Sequence, residues 1–326
     1  MRPLKLLACL SISVLLLCPF IAAATGESDL REWRNGATGE CYTYRVIGQE
    51  ALIVKWDMEG AEKTPEVIAV PGVLDGVTVT AIGPFAFENT YHRLHMGDDA
   101  PENRIILPEG ITELKDNAFG CCHHTAEIQL PLSLEKIGEN CFYHCHANIS
   151  LFPAHARYTV ENGFLMNAEK SRLIYAAPCA ADDPIPDVKR IEAYALANYA
   201  SGRERLAFPE TVNYIGSFNA YDVTELRQIT VPGNVKELAD YAFYCNSATE
   251  IVLCEGIERI GARAFDGIQC QNLVVPASVK WFGFSEYWSE ESADEQLIVL
   301  NPYCRFETEE EFVERVKRTP ENPLFF

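Results

Sequence analysis

The amino-acid sequence predicts a repeat solenoid of about eight coils, and three observations lead to this fold class. One apolar pattern recurs at a spacing of roughly 22 residues, which is typical of units that bury their apolar faces only by stacking on their neighbours. Each copy has apolar residues at positions 0, +2, +6, +9 and +14, and proline usually occupies +3. Two further coils follow the same pattern with insertions. The regular copies begin at Ile105, Ile128, Leu206, Ile229, Ile251 and Leu273.

Within each coil, the pattern predicts a strand, a bend, a short extended piece and a helical turn. Apolar residues at 0 and +2 describe a strand with one buried face, and proline ends it because it has no backbone N–H for the ladder. The +14 aromatic residue, often preceded by alanine as in Ala118-Phe119, is typical of a helical turn whose ring fills the coil. Stacking then forms a parallel sheet and places Phe119, Phe142, Phe243 and Phe265 in one line.

Two coils are enlarged. The first begins at Ile68 and the fourth at Ile149, and the fourth contains an insertion at about residues 154–186. Inside the insertion, the apolar segments Phe164–Met166 and Leu173–Tyr175 flank a polar stretch, which predicts a β-hairpin that projects from the stack. Insertions confined to single coils commonly mark a binding edge.

The chain is predicted to contain a signal peptide over residues 1–24, an N-terminal capping hairpin over 25–66, the solenoid over 67–296 and a C-terminal cap over 297–326. The leader combines positive charges, a long apolar run and small residues before the cleavage point. No later segment is apolar for long enough to span a bilayer, so we expect no membrane insertion after cleavage. In the C-terminal cap, Thr308 and Glu311 form a capping box that opens an amphipathic helix.

The composition excludes one class of partner. The net charge is −20 and the isoelectric point is about 4.8. The field of such a chain repels phosphate backbones and anionic lipid headgroups, so nucleic-acid and membrane-surface binding are not expected. Ten cysteines follow the leader, which in an exported protein suggests disulfides, although cysteine also packs as a small buried apolar residue.

Two stretches carry a family resemblance, from Leu107 to Phe119 and from Val231 to Cys245. They resemble the BspA-type leucine-rich repeats of bacterial surface proteins, and the resemblance covers roughly residues 41 to 306. The inserted segments, Glu161–Leu165 and Leu173–Pro178, also resemble a hairpin that such proteins often carry. The resemblance implies a secreted or cell-surface bacterial protein that acts in extracellular binding or adhesion, without catalysis.

The densest cluster of chemically reactive residues lies on two neighbouring coils, where Cys122 and His123 occupy positions equivalent to those of Cys145 and His146. Three interpretations remain open. The two cysteines form a buried ladder of thiols, or they oxidise to a disulfide because neighbouring coils bring their Cα atoms within bridging distance. In the third, the four residues bind Zn²⁺ or another soft metal ion, although the spacing matches no established zinc motif.

A second candidate is the aromatic segment from Trp281 to Trp288. Rings flanked by acidic residues form a stacking platform for a sugar or an anchor for a protein, and the alternative is that they seal the last coil. No nucleophile elbow, phosphate-binding glycine loop or zinc-protease motif is present in the sequence, so we expect neither enzymatic activity nor a cofactor.

The sequence therefore predicts a non-enzymatic module that binds a macromolecule through the solenoid surface. Solenoids suit this role because a rigid lattice displays equivalent side chains on successive coils. A protein is the expected partner, and a glycan or a metal ion is the alternative. The +1 side chains point away from the core and form the expected binding row, namely Ile106, Gln129, Ser150, Ala207, Thr230, Val252 and Val274.

Overall fold

The computed structural model describes residues 29–58, 65–88, 103–122, 125–180, 183–200, 202–221, 223–288 and 296–318. The predicted signal peptide and His123 lie outside the described residues. The strands in the described ranges are Leu30–Arg34 (β1), Cys41–Ile47 (β2), Glu50–Asp57 (β3), Val67–Ala69 (β4), Val73–Leu74 (β5), Val77–Ile82 (β6), Asn103–Ile106 (β7), Glu113–Leu114 (β8), Thr125–Leu130 (β9), Lys136–Ile137 (β10), Asn148–Leu151 (β11), Tyr158–Glu161 (β12), Phe164–Asn167 (β13), Arg172–Ala176 (β14), Arg190–Ile191 (β15), Arg205–Ala207 (β16), Tyr214–Ile215 (β17), Gln228–Val231 (β18), Glu237–Leu238 (β19), Glu250–Leu253 (β20), Arg259–Ile260 (β21), Asn272–Val275 (β22), Trp281–Phe282 (β23), Gln296–Val299 (β24) and Arg305–Phe306 (β25). The helices are Ala197–Ala200 (α1) and Glu309–Lys317 (α2), with a 3-10 turn at Pro178–Ala180.

The coils stack in parallel and in register, which confirms the predicted solenoid. The strands that carry position 0 form one side of the stack, here called the strand face, and Ile105 of β7 pairs with Ile128 of β9, which pairs with Ile149 of β11. The two-residue strands that carry position +9 form a second side, here called the short-strand face. Apolar residues alternate with outward residues on both sides, so a two-residue strand buries at most one side chain, whereas longer strands such as β18 and β22 bury two.

The aromatic residues at +14 stack on their neighbours inside the core, in two separate runs rather than in the single predicted line. The rings of Phe87 and Phe119 lie 5.2 Å apart and those of Phe119 and Phe142 lie 6.0 Å apart, all nearly parallel. Phe243 and Phe265 repeat the contact at 5.8 Å in the C-terminal half. Stacked rings at these distances add to the burial of their area, so each run stabilises its coils through their neighbours.

The helical turn predicted before the +14 residue is largely replaced by a hydrogen-bonded turn. The reason lies at +12, where the backbone φ angle is positive and an α-helix cannot begin. The N–H group at this position turns along the stack and donates to the following coil, as from Asn117 to the carbonyl of Glu139 at 3.0 Å. The left-handed +12 residues are Phe85, Asn117, Asn140, Tyr194, Phe218, Tyr241 and Arg263.

The inserted hairpin does not project from the stack as predicted. It forms three antiparallel strands, β12 to β14. Strand β14 then pairs in parallel with β15, so the insertion extends the sheet of the short-strand face. Phe164, Leu165 and Met166 on β13 are all buried, because successive side chains enter opposite halves of the core. The insertion is thus a partition wall, and it adds a rung in which the ring of Tyr175 lies 5.1 Å from that of Phe142.

Both ends of the stack are covered as predicted. The N-terminal hairpin of β2 and β3 joins the solenoid through parallel pairing of β3 with β6. At the other end, Thr308 and Glu311 form the predicted capping box of α2, and Phe312 packs on Phe284 with ring centres 5.6 Å apart. Neither helix in the described ranges has the length and apolar character needed to cross a membrane.

Candidate functional site

The seven predicted binding residues all lie on the strand face, in equivalent positions of neighbouring strands. Ile106 pairs with Gln129 and Gln129 with Ser150, while Ala207, Thr230 and Val252 pair in the same way further along. The structure adds a residue at each end that the sequence analysis missed. The complete set, here called the uncharged row, is Ala69, Ile106, Gln129, Ser150, Ala207, Thr230, Val252, Val274 and Ile298.

The uncharged row contains no ionisable side chain in a protein whose net charge is −20. Its apolar end is exposed, since Val274 keeps 43% and Ile298 keeps 38% of their surface in solvent. Leu300 and Tyr303 follow directly and are 52% and 90% exposed. Clustered apolar side chains of this exposure are typical of an interaction surface.

Polar residues border the row at position −1 of the same strands. Arg104 and Glu127 form an ion pair at 2.8 Å, and Asn272 is exposed beside Val274. An apolar centre with a polar border is the usual anatomy of a protein–protein interface.

The short-strand face has the opposite character. Its outward residues are mostly charged or aromatic and neutralise one another, as in the ion pair between Arg259 and Glu237 at 3.4 Å. Lys136 pairs with Glu113 at 2.9 Å. Ion pairs of this kind are solvated and contribute little. Binding of a partner to the strand face would therefore bury more apolar surface than binding to the short-strand face.

The aromatic segment from Trp281 to Trp288 does not form the platform considered from the sequence. Trp288 is 3% exposed and its indole N–H donates to the carbonyl of Phe265 at 3.0 Å, so its ring seals the core. Trp281 lies on the short-strand face between the guanidinium groups of Arg259 and Arg305, at 5.0 and 4.7 Å from its ring centre. Trp288 thus packs in the core of the last coil, whereas Trp281 lies on its outer surface.

The cysteine cluster contains a pair of fully buried thiols. Cys122 and Cys145 lie on neighbouring coils and hydrogen-bond to each other, and the Sγ atom of Cys122 donates to the carbonyl of Phe87 at 3.2 Å. Burial raises the pKa of Cys122 well above its ordinary value, so the thiol stays protonated. These contacts match the thiol-ladder interpretation, and the disulfide between the two remains a prediction.

The metal-site interpretation requires Cys122, His123, Cys145 and His146 to lie together, and the structure describes three of these four residues. His146 is exposed, whereas Cys122 and Cys145 are buried. Across the part of the chain that the structure describes, no three side chains among Cys, His, Asp and Glu lie close enough together to hold a metal ion. His123 falls outside those residues, so the four-residue site stays untested.

A cleft of about 220 Å³, here called the junction cleft, lies where the inserted hairpin meets the third coil. Arg172 of β14 and Arg190 of β15 form its charged side, and both donate through Nε to Oε1 of Glu192, at 2.8 and 3.1 Å. The guanidinium carbon of Arg190 also lies 3.6 Å from the ring centre of Tyr214. Two cations thus share one carboxylate, and Glu139 also lines the cleft.

Tyrosine residues also line the junction cleft. The rings of Tyr143 and Tyr194 are 4.6 Å apart in an edge-on contact. Burial raises the pKa of Tyr143 to about 12 and that of Tyr194 well above its ordinary value, so both hydroxyls are neutral. No sequence pattern predicts this cleft, because its residues come from three separate coils and from the insertion.

Comparison with known proteins places this geometry in a family. The sequence matches the BspA type leucine rich repeat region in six copies, over residues 80–173 and 184–292, which is more than half of the chain. No curated protein matches the chain in sequence.

Solved structures of bacterial proteins are similar at low identity. The pneumococcal vaccine antigen PcpA has 15% identity and a TM-score of 0.41, with 86% of this chain and 89% of that chain covered. A leucine-rich repeat protein from Eubacterium ventriosum has 15% identity and a TM-score of 0.43, with 84% and 95% covered. A leucine rich cell surface protein from Faecalibacterium prausnitzii has 15% identity and a TM-score of 0.40, with 87% and 97% covered. With its repeats in register along the described coils and its sequence match over more than half its length, this chain belongs to the BspA-type leucine-rich repeat family.

Proposed function

We propose that this protein is a non-enzymatic binding or adhesion module of a bacterial surface, and that it docks a protein partner on the strand face. The observation that carries the proposal is the uncharged row, whose nine residues lie at equivalent positions of nine strands in three sheets of a strongly acidic chain. Leucine-rich repeat proteins typically act by binding other proteins, which supports the same assignment. The signal peptide expected over residues 1–24 supports an extracytoplasmic location.

The row suits a protein partner better than a charged polymer. Small and apolar side chains such as Ala207 and Val252 offer shape and desolvation but no ionic attraction. Because strands are about 4.8 Å apart, neighbouring +1 side chains form a dense lattice whose rigidity lowers the ordering cost of binding. Docking is expected at the C-terminal half, where Val274, Ile298 and Tyr303 are exposed.

The test is a binding assay with immobilised protein against bacterial cell-surface and host-matrix proteins, followed by affinity measurement on the captured partner. Val274→Lys places a charge at the exposed apolar end of the row and should weaken binding at least about tenfold, since that factor corresponds to only 1.4 kcal/mol. The matched control is Asn272→Lys, which adds the same charge on the same strand but in the polar border.

Equal loss in both variants would assign the effect to net charge and contradict docking on the row. Binding of the captured partner that survives Val274→Lys, Thr230→Lys and Ile298→Lys together would place the interface elsewhere on the molecule. Circular dichroism of each variant confirms that the coils remain stacked, because all three side chains are on the outside of the sheet.

A further inference from the structure

The strand face has a break between β20 and β22, within the half where docking is expected, because β20 ends one sheet and β22 begins the next. One coil earlier, the carbonyl of Arg227 accepts from the N–H groups of Thr249 and Glu250, at 2.9 and 3.0 Å. The equivalent bonds from the N–H groups of Gln271 and Asn272 to the carbonyl of Thr249 are missing. Strands β21 and β23 still pair, so the two coils separate on the strand face while they stay joined on the short-strand face.

The thiol of Cys270 occupies the place of a ladder bond at this break. It donates to the carbonyl of Asn272 at 3.0 Å and also hydrogen-bonds with the backbone of Ile251. In a regular parallel ladder these two backbone groups bond to each other directly, so the sulfur atom holds the strands apart. The equivalent residue of the preceding coil is Ala248, and there the ladder between β18 and β20 is intact.

A cleft of about 400 Å³, here called the strand-face cleft, opens at the break. It is lined by Thr249, Glu250, Ile251, Gln269, Cys270, Gln271 and Asn272. Its polar side chains are exposed, so a ligand can reach them. The volume is many times the roughly 30 Å³ that one water occupies in the liquid, and it falls within the roughly 300–1,000 Å³ of ligand pockets. Val252 and Val274 of the uncharged row lie on the same two strands, so the cleft opens beside that row.

The backbone groups at the break define the chemistry of a ligand. The carbonyl of Thr249 and the N–H of Gln271 have no hydrogen-bond partner among the described residues. A ligand that satisfies both must present a donor and an acceptor close together. An ammonium or guanidinium group offers donors only, and a carboxylate accepts only. Glu250 is the one charged side chain that lines the cleft, and it also repels a carboxylate.

A carboxamide meets these requirements better than a hydroxyl group does. Its oxygen can accept from the N–H of Gln271, and its two N–H hydrogens can serve the carbonyl of Thr249 and the carboxylate of Glu250. A hydroxyl group has a single hydrogen, so it can donate to one of these two acceptors but not to both. The carboxamide also carries no charge, as the neighbouring row requires.

We propose that the strand-face cleft binds the carboxamide of an asparagine or glutamine side chain that a docked protein presents. The proposal rests on the proposed function for the identity of this protein, because the cleft opens between Val252 and Val274 of the row that docks it. The cleft gives this apolar surface a means of selecting its partner. A partner without the carboxamide would cover the carbonyl of Thr249 and the N–H of Gln271 and leave both unpaired.

The first experiment titrates the unmodified chain with capped tripeptides that have valine on both sides of a central residue and a methylamide at the end. The central residue is asparagine, glutamine, aspartate or leucine, and the N–H resonance of Gln271 reports binding by NMR. We expect a saturable shift with asparagine or glutamine, and binding at least about tenfold tighter than with aspartate or leucine, because two hydrogen bonds are lost. Equal binding of all four peptides, or no saturable shift with any, would overturn the proposal.

The second experiment closes the cleft with a residue that the repeat itself provides. Cys270→Ala copies Ala248 of the preceding coil, so the N–H of Gln271 should bond to the carbonyl of Thr249 and become protected from hydrogen exchange. We expect this variant to bind the asparagine and glutamine peptides at least about tenfold more weakly. Cys270→Ser keeps a bridging hydroxyl and should retain binding, and Cys254→Ala is the control outside the cleft. Undiminished binding to a variant whose Gln271 N–H has become protected would overturn the proposal.

A third pair of variants tests the carboxylate at the rim. Glu250→Met should weaken binding of the carboxamide peptides about fivefold, whereas Gln228→Met makes a change at the same strand position one coil earlier, where the ladder is intact, and should have no effect. Equal effects of the two variants would contradict the proposed site. N-acetylglucosamine, whose acetamido group carries the same two polar atoms, is the last probe. Binding tighter than that of the asparagine and glutamine peptides would replace the protein side chain with a glycan and overturn the proposal.

Failure of this site can be told from failure of the proposed function. The tripeptides measure the cleft alone, whereas the captured partner measures docking on the uncharged row. A partner that docks on the row with the same affinity for Glu250→Met, Cys270→Ala and the unmodified chain would contradict the carboxamide anchor and leave docking in place. Tripeptide binding without any protein docked on the strand face would contradict the proposed function instead.

Discussion

Arg315 of the C-terminal helix donates through Nη1 to Oδ2 of Asp240, 75 residues earlier in the chain, at 2.5 Å. The same guanidinium donates to both carboxylate oxygens of Glu307, at 2.8 and 3.1 Å. One side chain thus fixes α2 to the corner of the sixth coil as well as to the last coil. These contacts raise the pKa of Arg315 further, first through its hydrogen bonds to Glu307, so the cation persists at every accessible pH.

Arg315→Met should loosen the C-terminal cap. The change leaves the carboxylate of Glu307, whose side chain is only 2% exposed, without its cationic partner, and we expect a loss of about 1–3 kcal/mol in the free energy of unfolding. Urea unfolding measures the loss, and hydrogen exchange of α2 shows whether it is local. Arg318→Met is the control because its side chain is 80% exposed. An equal effect of both changes would contradict a docking role for Arg315.

Tyr175→Phe should weaken the junction between the two halves of the core. The Tyr175 hydroxyl lies 2.7 Å from the carbonyl of Cys145 and 2.9 Å from that of Ala147, so the change leaves buried acceptors unpaired. We expect a loss of about 1–3 kcal/mol, measured by thermal or urea unfolding. Tyr303→Phe removes a hydroxyl from a side chain that is 90% exposed and should have no effect. Two separate unfolding transitions in Tyr175→Phe would show that the halves have become independent.

Deletion of residues 157–178 is expected to prevent folding rather than to remove a projecting loop. The deleted segment contains Leu165 and Leu173, both fully buried, and supplies the strand that β15 pairs with. Circular dichroism and gel filtration of the deletion variant check this expectation. A monomeric, cooperatively folded deletion variant would contradict the role of β13 as a partition between the two core clusters.

The coils, their register and the stacking of the aromatic rings could be predicted because each follows from the spacing of apolar residues alone. The partition wall could not, since the sequence of a two-faced strand such as Phe164-Leu165-Met166 does not tell which neighbours cover each face. The left-handed backbone at +12 was also hidden, because residues such as Phe218 and Tyr241 rarely adopt it.

The strand-face row followed from alternation within short strands, but the junction cleft did not. Asn140 and Asn117 are indistinguishable in the repeat pattern, and only the path of the insertion leaves Asn140 without a following coil. The burial of Trp288 could not be predicted either. Trp288 directly follows the +14 position of the last coil, and a tryptophan there can form part of a surface platform or can cover the end of the core.

The buried cysteines should resist alkylation in the folded protein. Thiolates are the reactive form, and burial raises the pKa of Cys122 well above its ordinary value and that of Cys121 to about 11. Cys179 is exposed and should react first with iodoacetamide at pH 8. Mass spectrometry of peptides measures labelling before and after denaturation. We expect Cys122 and Cys145 to be labelled only after denaturation, whereas failure to label even then would indicate a disulfide.

Asp266→Asn should stabilise the protein progressively more as the pH rises. Asp266 is fully buried, and desolvation raises its pKa above the ordinary value of 3.8 despite hydrogen bonds from the hydroxyl of Ser285 and the N–H of Glu286. A carboxyl group that holds its proton more tightly in the folded state than in the unfolded state contributes to the free energy of unfolding at pH values below 3.8. It loses that contribution as the pH passes through the folded pKa. Asparagine does not titrate and keeps an oxygen that accepts from Glu286.

Urea unfolding of both proteins at pH 3, 5 and 7 measures the trend in the difference between their free energies of unfolding. The difference should move in favour of Asp266→Asn between the lowest and the highest pH. Asp187→Asn removes the same charge from an exposed side chain and separates the effect of burial from that of net charge in this acidic protein. A difference that moves in favour of the aspartate as the pH rises would mean that the hydrogen bonds from Ser285 and Glu286 outweigh desolvation, because the folded pKa would then lie below the unfolded one.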